Sequence, residues 1–364
     1  MSSLKKTFSS RRWWADFDDA RGFQPDMKNK IFLIAEIGVN HNSDIHLAMR
    51  MIDAAKESGA DAVKFQTFTA DTLVSAGTPK VDYQKNTTSP EESHFEMIRN
   101  LELTRKDHIL LQSYCQTKGI EFLSTPYDVE SAKFLHEELN VRLFKTASAD
   151  IVDLSLHRYI ASTGKHSIIS VGMASLGEIE EVLELYKSAG NHNVTLLHCV
   201  SNYPCSDESL NLSVMTTLRN AFQVDVGYSD HSTGFEAAVL SVALGAKIIE
   251  KHFTLDKSYP GPDHQASSTP EEFATLQHAV RRSELMLGSP LKRCQDEERQ
   301  MAVVSRKSIT LTCDLRAGDT IQSNHLTLRR PGTGLLAREI QNVCGMKVKC
   351  DLRAGHQLNY ADLL

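Results

Sequence analysis

Two histidines, His231 and His252, close two successive apolar runs, VDVGYSD and KIIEKHF, and Glu250 precedes the second by two residues. Imidazole nitrogens and a carboxylate oxygen at neighbouring strand ends form a donor set for one divalent cation. Such a set, with room for water, suits Mn2+, with Mg2+ or Co2+ as alternatives, rather than a closed structural zinc site. Either histidine alone reads equally well as a hydrogen-bonded core side chain. A second group is cationic and rich in hydroxyls. Lys64 and Lys145 with Thr125, Ser148, Ser170 and Ser229 offer two ammonium groups and several O–H donors, which is what a phosphorylated carboxylate requires. Each lysine alone could instead snorkel or pair with Glu36 or Asp150. Rival phosphate motifs are missing: Tyr159 stands where a Walker loop ending in Thr163-Gly164-Lys165-His166 needs glycine, and no GxGxxG follows a strand. ATP and NAD are therefore unsupported.

These residues all fall near the ends of short β-branched runs that alternate with longer amphipathic stretches, the pattern of repeated βα units with parallel strands. Eight such runs begin at Ile31, Ala62, Glu121, Arg142, Ser167, Val194, Val224 and Lys247. Their number and the span 31–290 predict a closed (β/α)8 TIM barrel, whose reactive groups sit at the C-terminal strand ends. Ser175 and Glu178 form a capping box opening a helix that Gly190 closes. The polar stretch from Lys80 to Leu103 reads as an extended loop acting as a lid over the barrel mouth. Residues 291–303, centred on KRCQDEERQ, read as a linker to a small β-rich domain at 304–364. In that domain the string CDLRAG occurs at Cys313 and again at Cys350, which predicts two related hairpin units turning at Ala-Gly. Residues 1–30 are a polar extension with Trp13 and Trp14, or a transit segment; Met27 is an alternative start.

The chain has 364 residues, 41% hydrophobic and 24% charged, enough for a large core and a small second domain. Forty basic against 46 acidic residues leave a net charge of -6, which argues against nucleic acid as a partner. No apolar run approaches the roughly 18 residues of a membrane span. Seven cysteines without a CxxC pair give neither a disulfide framework nor a zinc knuckle, so a reducing cytoplasm is expected.

The strings AEIGVNHNSD, AVKFQTF, FLSTPYD, LLHCVSNYP, VGYSDHSTG, IIEKHFTLDKSYPGPDH and RRPGTG resemble those of the sialic acid synthases, from Ile31 to the C-terminus. The resemblance implies a barrel followed by an antifreeze-like (SAF) domain, and condensation of phosphoenolpyruvate (PEP) with an N-acylated mannosamine-type sugar to a nine-carbon sialic acid and phosphate. By the same likeness, His231 and His252 bind the metal with Glu250 close by. Lys64, Thr125, Lys145, Ser148, Ser170, Ser201 and Ser229 hold PEP, while Glu36, Gln66, Tyr203 and Asp263 face the sugar or the reacting carbons. Arg330 reaches the acyl-sugar across a domain-swapped homodimer. Glu36 or Asp150 activates water, and His252 serves catalysis through the metal. The chain departs from its likeness in two places: it reads Lys145-Thr-Ala-Ser148-Ala149-Asp150 where many relatives read K-I-x-S-G-E, and Ser201 where Asn or Thr is frequent. An N-acetylneuraminate-type product is the first expectation, N,N'-diacetyllegionaminate the second and pseudaminate a more distant one. The alternative from another class is a carbohydrate- or ice-binding protein with a degenerate barrel.

Overall fold

A computed structural model describes residues 30–75, 77–80, 84, 88 and 91–364, so residues 1–29 of the expected extension, with Trp13 and Trp14, lie outside the described residues. The chain divides into two compact units, residues 1–288 and 289–364, against an expected boundary after 290.

The first unit carries the eight expected strands: β1 (Phe32–Gly38), β2 (Ala62–Thr67), β3 (Glu121–Pro126), β4 (Leu143–Thr146), β5 (His166–Ser170), β6 (Val194–His198), β7 (Asp225–Asp230) and β8 (Ile248–His252). All pair in parallel in the order β3-β2-β1-β8-β7-β6-β5-β4, and β3 lies against β4 to close the ring. This is the (β/α)8 barrel.

The strands alternate two apolar sets. Leu33, Val63, Phe122, Phe144, Ile169, Leu196 and Ile249 belong to the main core, which also contains the apolar stripes of the helices. Ile34, Ala62, Leu123, Leu143, Ile168, Leu197 and Ile248 form a separate buried cluster. Because strand side chains repeat every two residues, the next position on the same face is Glu36, Lys64, Thr125, Lys145, Ser170, Cys199 and Glu250 in turn. An apolar plug is thus followed, one step towards the C-terminal ends, by a polar layer.

Two irregular stretches differ from expectation. The expected lid loop contains a helix, His94–Asn100, opened by a reciprocal capping box between Ser93 and Glu96. The expected linker also contains helical turns, Asp296–Glu298 and Arg299–Ser305, the first opened by the Gln295 N–H donating to the Glu298 carboxylate at 2.7 Å.

In the second unit β9 (Ser308–Leu311) pairs antiparallel with β10 (Leu326–Arg329) over a core that includes Ile309, Leu311, Ile321, Val348 and Leu358. The two CDLRAG strings do not form separate hairpins; they pair with each other. Leu315 and Leu352 exchange backbone hydrogen bonds of 2.9 and 2.8 Å. Asp351 accepts from the Ala317 N–H and Asp314 from the Ala354 N–H, at 2.8 and 2.7 Å. Gly318 and Gly355 turn at φ +89° and +88°, a left-handed conformation that explains both glycines.

Burial of neutral imidazoles in the barrel gives a pH dependence of known sign. His157 and His166 are buried, and burial lowers the pKa of each from 6.5 to about 4. Between these values the unfolded chain binds protons that the folded chain refuses, so stability rises with pH across that window. Lowering the pH from 7 to 5 is expected to reduce the urea midpoint, with a loss on the order of 2 kcal/mol per histidine. His166→Gln should flatten that dependence.

Candidate active site

A cavity of about 450 Å3 opens at the C-terminal ends of the strands, lined by Glu36, Lys64, Gln66, Thr125, Lys145, Ser148, Ser170, Ser229, Tyr203, His231, Glu250, His252 and Asp263. A larger recess of about 840 Å3 lies at the strand N-termini, around Phe32, Glu121, Phe122 and Arg142. Arg142–Glu121 and Lys30–Asp61 ion pairs close its rim, and reactive groups in this fold belong to the other end.

The polar layer at the cavity floor is an ion network. Lys64 Nζ is 2.6 Å from Glu36 Oε2 and 3.8 Å from Glu250 Oε2, and donates to Thr125 Oγ1 at 3.0 Å. Lys145 Nζ donates to Ser170 Oγ at 2.7 Å and to the Thr146 carbonyl at 2.9 Å, and is 3.7 Å from Glu250 Oε1. Ser229 Oγ donates to the same Glu250 oxygen at 2.9 Å. All four charged residues are less than 5% exposed. Burial pushes the Glu250 carboxyl up, but Lys145 and Lys64 outweigh it and hold Glu250 ionised. For Glu36 burial dominates over Lys64, so its pKa is raised to about 7, well above that of Glu250. Burial lowers Lys64, yet Glu250 and Glu36 reverse this and keep it charged; Lys145 is lowered by burial.

Two residues further along the strands stand the imidazoles. His231 and His252 have ring centroids 5.5 Å apart, and Tyr203 lies 4.2 Å from the first and 5.2 Å from the second. His231 Nδ1 is 2.7 Å from the Val200 carbonyl, which only accepts, so Nδ1 carries the proton and Nε2, 3.3 Å from Ser229 Oγ, keeps its lone pair. Burial holds both rings neutral, His231 with a pKa near 4 and His252 well below its usual value. Asp263, raised to about 6 by burial, places Oδ2 4.0 Å from His252 Nδ1.

The expected three-donor metal set is not assembled. Among the described residues no group of three or more His, Cys, Asp or Glu side chains is arranged to hold a metal ion, and Glu250 is turned to Lys64, Lys145 and Ser229. The two histidines themselves fit a divalent cation. His231 offers Nε2 with Nδ1 anchored behind it, and His252 Nδ1 is a buried nitrogen without a hydrogen-bond partner among the described residues.

Other expected residues fall elsewhere. Asp150 does not line the cavity; it sits in the turn Ser148–Val152, where burial and Asp153 raise its carboxyl to about 7. Ser201 is one contact removed, its Oγ 2.8 Å from Ser148 Oγ. Arg330 is an exposed residue of the second unit, directly after β10. Sequence reasoning missed Cys199, Tyr127 and Gly38. Cys199 continues the face of Leu197, a signal that strand periodicity carried. Burial keeps its thiol neutral despite Lys145. Gly38, at φ +55°, follows Glu36 on its strand; a Cβ there would stand 3.1 Å from Glu36 Oε1 and 3.3 Å from Gln66 Nε2. Gln66 Nε2 donates to that Glu36 oxygen at 3.4 Å.

The sequence pattern of the NeuB family matches residues 51–292, more than half of the chain. The chain belongs to the NeuB family. The SAF domain matches residues 306–364, the second unit. This NeuB-family chain is 46% identical to the N,N'-diacetyllegionaminic acid synthase of Legionella pneumophila over 90% of its own length and 93% of the relative's. It is 38% identical to the N-acetylneuraminate-9-phosphate synthase of Mus musculus over 88% and 89% of the two chains. Its fold resembles the crystal structure of N-acetylneuraminic acid synthetase from Leptospira borgpetersenii, with a TM-score of 0.68 at 36% identity, covering 75% and 90%. A binding protein with a degenerate barrel does not fit this kinship with synthases.

The histidine-bearing strand ends of this NeuB-family chain are tied together by one buried latch. Lys251 Nζ donates to Asp230 Oδ2 at 2.8 Å and to the Ser232 carbonyl at 2.7 Å, while Asp230 Oδ1 accepts from Ser232 N–H and Oγ–H. Removing the cation leaves a buried charge unpaired. Lys251→Met is therefore expected to cost about 3–5 kcal/mol in a denaturant titration, and Lys251→Met combined with Asp230→Leu to regain much of it.

Proposed function

We propose that this chain condenses PEP with the open-chain form of an N-acylated mannosamine-type sugar and water, giving a nine-carbon ulosonic acid and inorganic phosphate. The observation that carries the reading is the pairing, within one cavity, of a buried two-lysine floor with two neutral imidazoles. The phosphate and carboxylate of PEP need cations and O–H donors in a protein of net negative charge. Lys64 and Lys145, with Thr125, Ser148, Ser170, Ser229 and the adjoining Ser201, meet that need. Gln66, Tyr203 and Asp263 line the same cavity and would orient the sugar.

His231 and His252 would hold a divalent cation, Mn2+ first and Mg2+ or Co2+ as alternatives. Such a cation, when bound, supplies Lewis-acid polarisation of the sugar aldehyde. The chain's own groups do the rest. The lysines fix PEP so that its C3 meets the aldehyde carbon, an entropic contribution that is large in two-substrate sites. As the C–C bond forms, the former C2 of PEP becomes electron-poor and water adds to it. Glu36, which lies in the ion layer beside Lys64, rather than Asp150, which is off the cavity lining, is the carboxylate this reading assigns to transfer of the water proton, its raised pKa suiting it. That proton ends on the new hydroxyl of the sugar carbon; the C2 hydroxyl then collapses to the ketone, the C2–O bond electrons leave with the phosphate, and the hydroxyl proton passes to the departing phosphate.

N-acetylneuraminate-type and N,N'-diacetyllegionaminate products are both served by this chemistry. The identity of 46% to the Legionella legionaminate enzyme, against 38% to the mouse one, supports a diacetylated acceptor. The active assembly in this reading is a domain-swapped homodimer in which Arg330, exposed on the SAF unit, serves the acyl-sugar of the partner subunit. Seven free cysteines suit a reducing compartment, so the cytoplasm is the location this reading assigns.

His252→Ala is expected to keep the fold and to abolish metal-dependent phosphate release from PEP plus N-acylmannosamine; full release in that variant would sink the reading. Arg330→Ala is expected to raise KM for the sugar far more than for PEP. Mixing Arg330→Ala with His252→Ala chains should restore part of the activity, whereas no recovery after subunit exchange excludes the swap.

A further inference from the structure

Asp263 enters the cavity from the residues that follow β8. Its carboxylate has no hydrogen-bond partner among the described residues and stands 4.0 Å from His252 Nδ1, so its place is set by the backbone that carries it. That backbone leaves β8 and returns upon it: Ser268 N–H donates to the His252 carbonyl at 2.8 Å, and Thr254 N–H to the Ser268 carbonyl at 2.9 Å. Within the loop so closed, residues 253–268, Pro262 and Asp263 line the cavity.

Four polar residues of no more than 1% exposure, Asn40, Thr254, His264 and Ser267, lie behind this loop and off the cavity lining, and the chemistry proposed above does not use them. They build two lines of hydrogen bonds from the turn after β1 into the loop. In the first, Asn40 Nδ2 donates to the Phe253 carbonyl and to Ser267 Oγ, both at 2.9 Å, and Ser267 Oγ donates to the carbonyl of Asp263 itself at 2.7 Å. In the second, Asn42 Nδ2 donates to the Pro260 carbonyl at 2.8 Å, which fixes the orientation of the amide, and to His264 Nε2 at 3.3 Å. His264 Nε2 therefore accepts, and Nδ1 carries the proton to Thr254 Oγ1 at 2.7 Å; the Thr254 proton goes on to the Asp256 carbonyl at 3.1 Å. Burial keeps the ring neutral, with a pKa near 4. His264 stands inside the loop as a post. Gly261, at φ +145°, passes it so closely that a Cβ would lie 2.8 Å from His264 Cδ2.

We propose that Asn40 and His264 are positioning residues: through Ser267 and Thr254 they fix the loop after β8 so that Asp263 presents a free carboxylate to the acceptor sugar beside His252. The inference rests on the condensation reading, in which Asp263 orients the sugar. A carboxylate without internal partners accepts from a sugar hydroxyl or amide N–H without first breaking another bond, but only while its backbone is held. A misplacement of about 1 Å costs on the order of 100-fold in such a site. The two lines hold Asp263 at adjoining points, its own carbonyl and the side chain of the next residue. Both begin on the strand of Glu36, whose carbonyl also accepts from Phe253 N–H at 2.7 Å, so the loop is registered against the ion layer.

The test is phosphate release by the full chain with Mn2+, PEP and either N-acetylmannosamine or a 2,4-diacetamido-6-deoxy hexose. Thr254→Val keeps the shape of the side chain and removes its hydrogen bonds, Ser267→Ala cuts the other line, and Thr254→Ser retains the hydroxyl. The first two are each expected to raise KM for the sugar about tenfold or more while KM for PEP stays within about twofold; Thr254→Ser should stay within about threefold on both. In an Asp263→Ala background, Thr254→Val and Ser267→Ala should each add less than about twofold, because they act through the group already removed. Asn42→Gly, which holds the φ of +49° without the amide, cuts the second line at its half-buried end and should reproduce the sugar-specific shift even where the buried variants fail to fold. An unchanged sugar KM, equal shifts of both KM values, or a full further tenfold in the Asp263→Ala background would overturn the positioning role while leaving the condensation intact. Absence of phosphate release by the unsubstituted chain with either acceptor would overturn the condensation reading and the positioning role with it.

Discussion

Two ammonium groups and two carboxylates are taken out of water at one level of the barrel, and the surrounding structure follows from the need to compensate them. An isolated ammonium in an apolar interior costs several kcal/mol even after relaxation, and a carboxylate costs as much. Lys64 bridges Glu36 and Glu250, and Lys145 reaches Glu250 from the other side, so no charge in the set stands alone. The remaining donor capacity is absorbed by Thr125, Ser170 and the Thr146 carbonyl. If Glu36 holds a proton, as its burial favours, the set carries one net positive charge in a protein whose total is -6. That local surplus suits an anionic substrate, and an incoming carboxylate or phosphate then replaces the missing negative charge.

Such a layer needs a rigid support. It rests on seven apolar side chains one strand step away, and Gly227 shows how tightly that plug closes: a Cβ there would lie 2.4 Å from the Ile248 carbonyl oxygen and 2.5 Å from Leu197. Ser229 follows Gly227 on the same face, so the approach of β7 to β8 that the glycine permits also brings Ser229 Oγ to Glu250. One step beyond, His231 and His252 are held by the Val200 carbonyl, the Tyr203 ring and the Lys251–Asp230 pair. Plug, ion layer and imidazole layer are successive positions of one period-two pattern, which is why groups from strands distant in sequence meet to within hydrogen-bonding distance.

The barrel was legible because strand and helix periods differ and every strand is buried on both faces. The polar strand ends were legible because polar residues there interrupt apolar runs. Glu250 shows the boundary: its place beside His252 in sequence suggested a shared metal, yet residues two apart on a strand share a face at different depths, and the deeper carboxylate is taken by lysines from β2 and β4. Asp150 fails for a related reason. It lies past the end of β4, where the chain has entered a 3-10 turn and the strand period no longer predicts which way a side chain points. Cys199 was equally readable from its strand, but a cysteine between a histidine and a valine looks like core. The helix inside the expected lid was missed because polar DYQKNTTSPEES outweighed the short FEMIRN signal. The pairing of the two CDLRAG strings with each other depends on tertiary contact that no local pattern encodes.

The departures from the family likeness are explained by the same layering. Ser201 is shorter than the Asn or Thr frequent at its position, but Gly172 lets the chains close around it. A Cβ at 172 would stand 2.5 Å from Ser201 Oγ, 2.9 Å from Cys199 Sγ and 3.2 Å from Ser148 Oγ. The absence of one methyl group therefore allows two hydroxyls and a thiol to converge, with Ser201 and Ser148 in contact at 2.8 Å. A larger residue at 201 would fill that space from one side; a serine shares it with Ser148. Asp150, one methylene shorter than the usual Glu, lies off the cavity lining, so its change falls in the turn after β4.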